Sequence, residues 1–60
     1  MTREERVAEI NEIEQKCDAV RRHLEVAKDC YTRNQAITGK THTEQAIMQL
    51  DRIKIRLEYL

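Results

Sequence analysis

The 60-residue chain has no proline, tryptophan or phenylalanine, and it has only one glycine and two tyrosines. Without bulky aromatic side chains, a chain this short has little with which to build a large core. Charged residues make up 37% of the chain and hydrophobic residues 40%. The hydrophobic residues recur periodically, which is typical of long helices and argues against sheet and disorder. The composition therefore predicts an all-α protein.

The chain also lacks net charge, because 11 basic residues balance 11 acidic ones. This argues against a protein that holds nucleic acid mainly by attraction to phosphates. The first ten residues, MTREERVAEI, lack the apolar run of a signal peptide, and no stretch approaches the ~20 apolar residues that span a bilayer. We expect a soluble, cytoplasmic protein without a membrane partner.

The first half of the chain carries apolar residues at alternating steps of three and four. Thr2 and Glu5 match a capping box, so a helix should begin near residue 3. A coiled-coil-like seam then continues for three heptads. Its members are Ile10, Ile13, Cys17, Val20, Leu24, Ala27 and Tyr31. This spacing predicts one helix over about residues 3–34.

The segment TRNQAITGKTHT interrupts the seam and contains the single glycine. Gly39 suits a position with positive φ, and Thr41 or Thr43 can cap a following helix, so we predict a turn over about 35–43. A second helix is predicted over about 44–60, with a seam at Ala46, Leu50, Ile53, Leu57 and Leu60. The expected fold is a single domain over residues 1–60, an antiparallel two-helix hairpin with a long first helix and a shorter second helix.

The unequal lengths of the expected helices predict self-association. A second helix of about 25 Å covers only half of a first helix of about 48 Å. Apolar residues beyond that overlap, or away from the second seam, would be exposed in a monomer, and such patches usually mark association. We expect a homo-oligomeric helical bundle, with a monomeric hairpin as the alternative. The predicted interface residues are Val7, Ile10, Ile13, Met48, Ile55 and Tyr59.

The sequence offers no set of catalytic or metal-binding residues. Gly39, Lys40 and Thr41 match the end of a phosphate-binding loop, but Asn34 stands where that loop needs its first glycine. His23 and Cys30 lie about 10 Å apart along a helix, too far to share an ion within one chain. A metal site between chains remains open. We therefore expect no enzymatic activity, no cofactor and no metal.

The two cysteines, Cys17 and Cys30, are expected to be reduced. They lie about 20 Å apart on the predicted first helix, and a disulfide needs Cα atoms within about 7 Å. Cys17 belongs to the main seam, whereas Cys30 belongs to a weaker second stripe. Both should act as small hydrophobic residues.

Basic and hydroxyl side chains gather around the predicted turn. If this end of the hairpin holds an anionic ligand, the binding residues would be Tyr31, Arg33, Lys40, Thr41, Thr43 and Arg52. The alternative is an ordinary solvated surface, balanced by the acidic residues nearby.

The segment TEQAIMQLDRI resembles the second helix of the small hairpin domain in phage cyclic-oligonucleotide sponges. Ala46, Ile47, Leu50 and Asp51 match the family pattern Ala-Ile-x-x-Leu-acid, while the tryptophan expected later in that helix is absent. The match covers about a fifth of the chain. The resemblance implies an oligomer that sequesters a cyclic nucleotide between chains and so counters bacterial defence.

Three functions are consistent with the sequence. The favoured hypothesis is a non-enzymatic interaction module, a homo-oligomer that binds or occludes a partner protein. The second is a sponge that holds a cyclic oligonucleotide between chains. The third is an RNA-binding hairpin dimer that would use Arg21, Arg22 and Lys28, although the zero net charge argues against it.

Overall fold

In the computed structural model, which describes residues 1–60, the chain forms two α-helices and no strand. Helix α1 spans Arg3–Thr32 and helix α2 spans Ala36–Glu58. The two helices pack along each other as an antiparallel hairpin measuring 48 × 15 × 8 Å. The radius of gyration is 14.3 Å, whereas a compact chain of this length would have about 10 Å. The all-α prediction is confirmed, and the molecule is a flat rod.

The start of α1 follows the predicted capping box. The backbone N–H of Glu5 donates to the Thr2 hydroxyl at 3.1 Å, and the N–H of Thr2 donates to the Glu5 carboxylate at 3.4 Å. Glu4 and Glu5 also place negative charge in the first turn, where it offsets the positive end of the helix dipole. Local sequence therefore fixes this end of the helix.

The connection between the helices is shorter than predicted and depends on Asn34. This residue has a φ of 63°, the left-handed conformation that often ends a helix. The N–H of Gln35 donates to the carbonyl of Cys30 at 2.8 Å, and the N–H of Asn34 donates to that of Tyr31 at 3.2 Å. These two bonds form a Schellman motif, which satisfies the last carbonyls of α1. The chain can then begin α2 at Ala36.

The prediction of a turn over 35–43 is therefore wrong, and so is the role predicted for Gly39. Gly39 is a buried helical residue without positive φ. The Thr41 hydroxyl donates to the Ile37 carbonyl at 3.2 Å and the Thr43 hydroxyl to the Lys40 carbonyl at 2.8 Å, so neither caps the helix. The left-handed residue of the turn is Asn34 rather than Gly39, since asparagine also tolerates left-handed backbone.

The early start of α2 changes how much of α1 is covered. With 23 residues, α2 is about 35 Å long, against about 45 Å for α1. Ile13, predicted to lie on an uncovered arm, is instead buried in one cluster with Ile53. The prediction that Ile13 has no packing partner within its own chain is therefore wrong. Val7 and Ile10 remain exposed.

The core is a single row of buried residues along the contact between the helices. Ile13, Val20 and Ala27 recur every seven residues on α1, and Ala46 and Ile53 do so on α2. Leu60 packs against the end of this row. Cys30 is buried and Cys17 is exposed, although the sequence placed Cys17 in the main seam and Cys30 in the weaker stripe. Neither forms a disulfide.

Candidate interaction surfaces

The hairpin has two long faces, one on each side of the buried row. Positions four residues after a buried residue lie about 40° further around a helix of 3.6 residues per turn. Because the helices are antiparallel and both right-handed, these positions open on the same side of the hairpin. Positions four residues before a buried residue open on the opposite side.

The first side, here called the apolar face, is hydrophobic except at Thr43, which lies four residues after the buried Gly39. It comprises Ile10, Cys17, Leu24 and Tyr31 from α1 and Leu50 and Leu57 from α2. The large side chains in this set are 45–50% exposed. The predicted seam thus splits, because half of it closes the hairpin and half faces outward. A row of half-exposed residues at heptad spacing is the pattern with which helices pack against further helices.

A shallow groove marks the α2 half of the apolar face. It is lined by Leu50, Ile53 and Leu57 together with the charged Lys54 and Glu58. Surfaces that bury against another protein commonly combine apolar side chains with a polar rim, and this mixture of three apolar and two charged residues is compatible with that pattern. No charged residue lies within the apolar row itself.

The opposite side, here called the polar face, carries the ion pairs that join the helices. The Arg56 guanidinium on α2 donates from Nε to the Glu9 carboxylate and from Nη2 to the Glu12 carboxylate, the latter at 2.6 Å. These hydrogen bonds, chiefly that to Glu9, raise the pKa of Arg56 above its ordinary value. A planar guanidinium can hold two carboxylates at once, so this contact fixes the register at the open end of the hairpin.

A pair of histidines lies further along the polar face. His23 on α1 and His42 on α2 approach with their Nδ1 atoms 3.3 Å apart. Their ring centroids are 5.5 Å apart and their planes are inclined by 35°. Both residues are half-buried between the helices. The chain thus brings its only two imidazoles together.

Sequence reasoning missed this pair because it placed His42 in a turn. With α2 beginning at Ala36, His42 joins a regular series at steps of three and four. The series is Gly39, His42, Ala46, Gln49, Ile53, Arg56 and Leu60. Because the series includes a glycine and several polar residues, it does not stand out as an apolar periodicity in the sequence.

The outer side of α2 carries a separate apolar stripe. Its members Met48, Ile55 and Tyr59 are all exposed. Met48 and Ile55 each lie two positions after a buried residue, and Tyr59 lies six positions after one, which places all three on the side of the helix away from α1. These three predicted interface residues therefore do not join Val7 and Ile10. Of the predicted interface residues, Ile10 lies on the apolar face, whereas Met48, Ile55 and Tyr59 form this stripe, here called the outer stripe.

The residues predicted to bind an anion do not converge. Lys40 and Arg52 are both exposed on α2, but twelve residues separate them by about 18 Å. Arg33 pairs with Asp29 of its own helix end at 3.3 Å. The Thr41 and Thr43 hydroxyls are held by helix carbonyls, and the Tyr31 ring lies against Gly39. Within one chain, these six side chains form no common pocket.

The structure shows neither a cluster of metal ligands nor a membrane-spanning helix. No group of three or more histidine, cysteine, aspartate or glutamate side chains is arranged to hold a metal ion. Neither helix has an apolar stretch long enough to cross a lipid bilayer. Comparison with protein-family models, curated proteins and solved structures found no match to this chain.

Proposed function

We propose that this protein is a non-enzymatic interaction module that works as a homo-oligomer of helical hairpins and binds a partner protein. The observation that carries the proposal is the apolar face. In this proposal a second copy of the chain covers that face, and the outer stripe of α2 remains free for the partner.

The exposed area supports a second copy as the occupant of the apolar face. The hairpin exposes 4997 Å², whereas a compact monomer of 7.2 kDa would expose about 4,100 Å². The excess is about 900 Å², close to the roughly 800 Å² that each partner buries in a stable interface of standard size. Pairing two apolar faces would give a four-helix bundle with a continuous core.

The thin core supports the same conclusion. Only 7 of 60 residues are buried, and no large side chain is fully buried. A chain of this size rarely has enough apolar burial to be stable on its own, and oligomerisation is one common remedy. A second copy would bury the exposed half of Leu24, Leu50 and Leu57, and each would gain about half of the roughly 1.5–3 kcal/mol that complete burial of such a side chain provides.

The first experiment measures mass in solution by light scattering or sedimentation at tens of micromolar. The wild type should be a dimer or larger, and a wild-type monomer would refute the proposal. Leu24→Glu should dissociate the oligomer, because it places a charge in the apolar face. Val26→Glu is the matched control: Val26 has similar exposure, 43% against 49% for Leu24, but lies on another side of α1. It should leave the mass unchanged.

Cys17 provides an independent reporter of the same contact. It lies in the middle of the apolar face and is exposed in the single hairpin. Its rate of modification by a thiol reagent should therefore fall as protein concentration rises, since association buries it. A labelling rate that does not depend on concentration would contradict pairing through this face.

A second experiment tests the partner surface. Met48→Lys together with Ile55→Lys should preserve the helicity and the oligomer but abolish capture of the partner protein from cell extract. Lys40→Ala together with Arg33→Ala is the control and should leave capture unchanged. Equal capture by both variants would refute the role of the outer stripe. A cyclic dinucleotide that raises the melting temperature of the wild type, but not of the Lys40→Ala variant, would favour the sponge instead.

A further inference from the structure

We propose that His23 and His42 form a binding site for a divalent transition-metal ion of the Zn²⁺ class, which clips α1 to α2. The two Nδ1 atoms are the protein ligands, and water molecules complete the coordination. This inference does not rest on self-association, because both histidines belong to one chain and lie on the polar face, away from the apolar face.

The spacing of the two nitrogens fits a shared ion. Zinc binds imidazole nitrogen at about 2.0–2.1 Å with tetrahedral geometry, which places two ligand nitrogens about 3.3–3.4 Å apart. The Nδ1 atoms of His23 and His42 are 3.3 Å apart. Ordinary hydrogen bonds from nitrogen donors span about 2.7–3.2 Å. The 3.3 Å separation lies at the long end of the hydrogen-bond range, and it also matches one edge of a zinc tetrahedron.

The surroundings also suit a metal clip. The ring centroids are 5.5 Å apart, so both Nδ1 atoms lie in the space between the rings rather than on their outer edges. The half-buried side chains are held by two packed helices, which limits the loss of side-chain freedom on binding. Imidazole is a preferred ligand of zinc, copper and nickel, whereas magnesium prefers oxygen. With only two protein ligands, the site is open to solvent, so the bound ion can exchange.

The test is a titration of the full chain with Zn²⁺, followed by thermal unfolding. Binding to the folded state alone should raise the melting temperature by about 5–10 °C once free ion exceeds the dissociation constant tenfold. Mg²⁺ at the same concentration should have no effect. An unchanged melting temperature in Zn²⁺ would overturn the proposal.

Two variants locate the site. His23→Gln and His42→Gln each keep a side chain that can hydrogen-bond to the remaining imidazole but remove one good metal ligand. Each should abolish the shift produced by Zn²⁺. Cys17→Ser is the control for metal binding at the exposed thiol and should keep the shift. A shift that survives in either histidine variant, or disappears in Cys17→Ser, would overturn the assignment.

Two measurements on the wild type do not depend on the folding of any variant. The chain has only two histidines, so its NMR spectrum has few imidazole signals, and Zn²⁺ should shift those of both residues together. Light scattering should show the same mass with and without the ion, because the clip lies within one chain. A shift in the NMR signals of one histidine alone, or a Zn²⁺-dependent increase in mass, would overturn the proposal.

Discussion

The ring of Tyr31 on α1 lies against the backbone of Gly39 on α2, at the closed end of the hairpin. A Cβ atom at residue 39 would lie 3.0–3.2 Å from three ring atoms of Tyr31. Glycine at this position therefore serves close approach between two helices rather than a turn. Glycine in a helix costs about 1 kcal/mol relative to alanine, and here its missing Cβ leaves room for the Tyr31 ring.

This contact predicts that the effect of Gly39→Ala depends on Tyr31. In the wild type, crowding against the ring should cancel most of the gain in helix propensity. In a Tyr31→Ala background the same substitution should stabilise the protein by about 0.8–1.0 kcal/mol. Urea unfolding of the four proteins at one protomer concentration measures this coupling. Equal effects of Gly39→Ala in both backgrounds would show that the ring does not restrict residue 39.

The left-handed backbone of Asn34 predicts different effects of two small substitutions. Asn34→Ala should be less stable than Asn34→Gly by about 1–2 kcal/mol, because only glycine adopts positive φ without steric cost. Gln35→Ala is the control, since Gln35 has a φ of −103° that alanine adopts freely. Chemical denaturation provides the comparison. If Asn34→Ala and Asn34→Gly are equally stable, the Schellman motif does not control the turn.

The contacts of Arg56 with Glu9 and Glu12 predict a stabilisation that depends on salt. Arg56→Lys should lower the melting temperature at low ionic strength, because an ammonium group cannot hold two carboxylates in the same way. The difference from wild type should shrink in about 1 M salt, where the Debye length is only about 3 Å. Arg52→Lys, one turn earlier on the exposed side of α2, is the control and should have little effect at either salt concentration.

The pH dependence of this contact follows from the direction in which it shifts the pKa of Arg56. The pKa of Arg56 is raised in the folded state by its hydrogen bonds to Glu9 and Glu12. A group with a raised folded pKa stabilises the protein below its unfolded pKa, and that contribution disappears only as pH rises through the folded value. Since arginine titrates far above neutrality, the difference between wild type and Arg56→Lys should stay constant from about pH 7 to about pH 9. A loss of that difference in this range would contradict the assignment.

Two isoleucines on α2 test the position of the core. Ile53 is buried in the row between the helices, whereas Ile55 is 55% exposed on the outer stripe. Ile53→Val should cost about 0.5–1.5 kcal/mol, as expected when a methylene is removed from a packed site. Ile55→Val should change stability by less than about 0.5 kcal/mol. Similar losses at both positions would indicate that a second surface buries Ile55 in the assembled protein.

The sequence by itself determined the helical class, the beginning of α1 and the number of helices. The capping box of Thr2 and Glu5 is a local interaction, and the heptad spacing of Val20 and Ala27 reflects the geometry of a single helix. Such features depend on residues within a few positions of one another. They could therefore be predicted without knowing what packs against them.

Only the tertiary structure decided where α2 begins and which half of the seam closes the hairpin. The buried Gly39 is explained by its contact with the Tyr31 ring on the other helix, which no local pattern in the sequence shows. Ile10 and Ile13 belong to one apolar seam, and only the rotation of α1 about its axis buries Ile13 and exposes Ile10. That rotation also brings His23 to His42 across 19 residues of sequence. Helical periodicity specifies which residues share a face, but the packing of two helices decides which face turns inward.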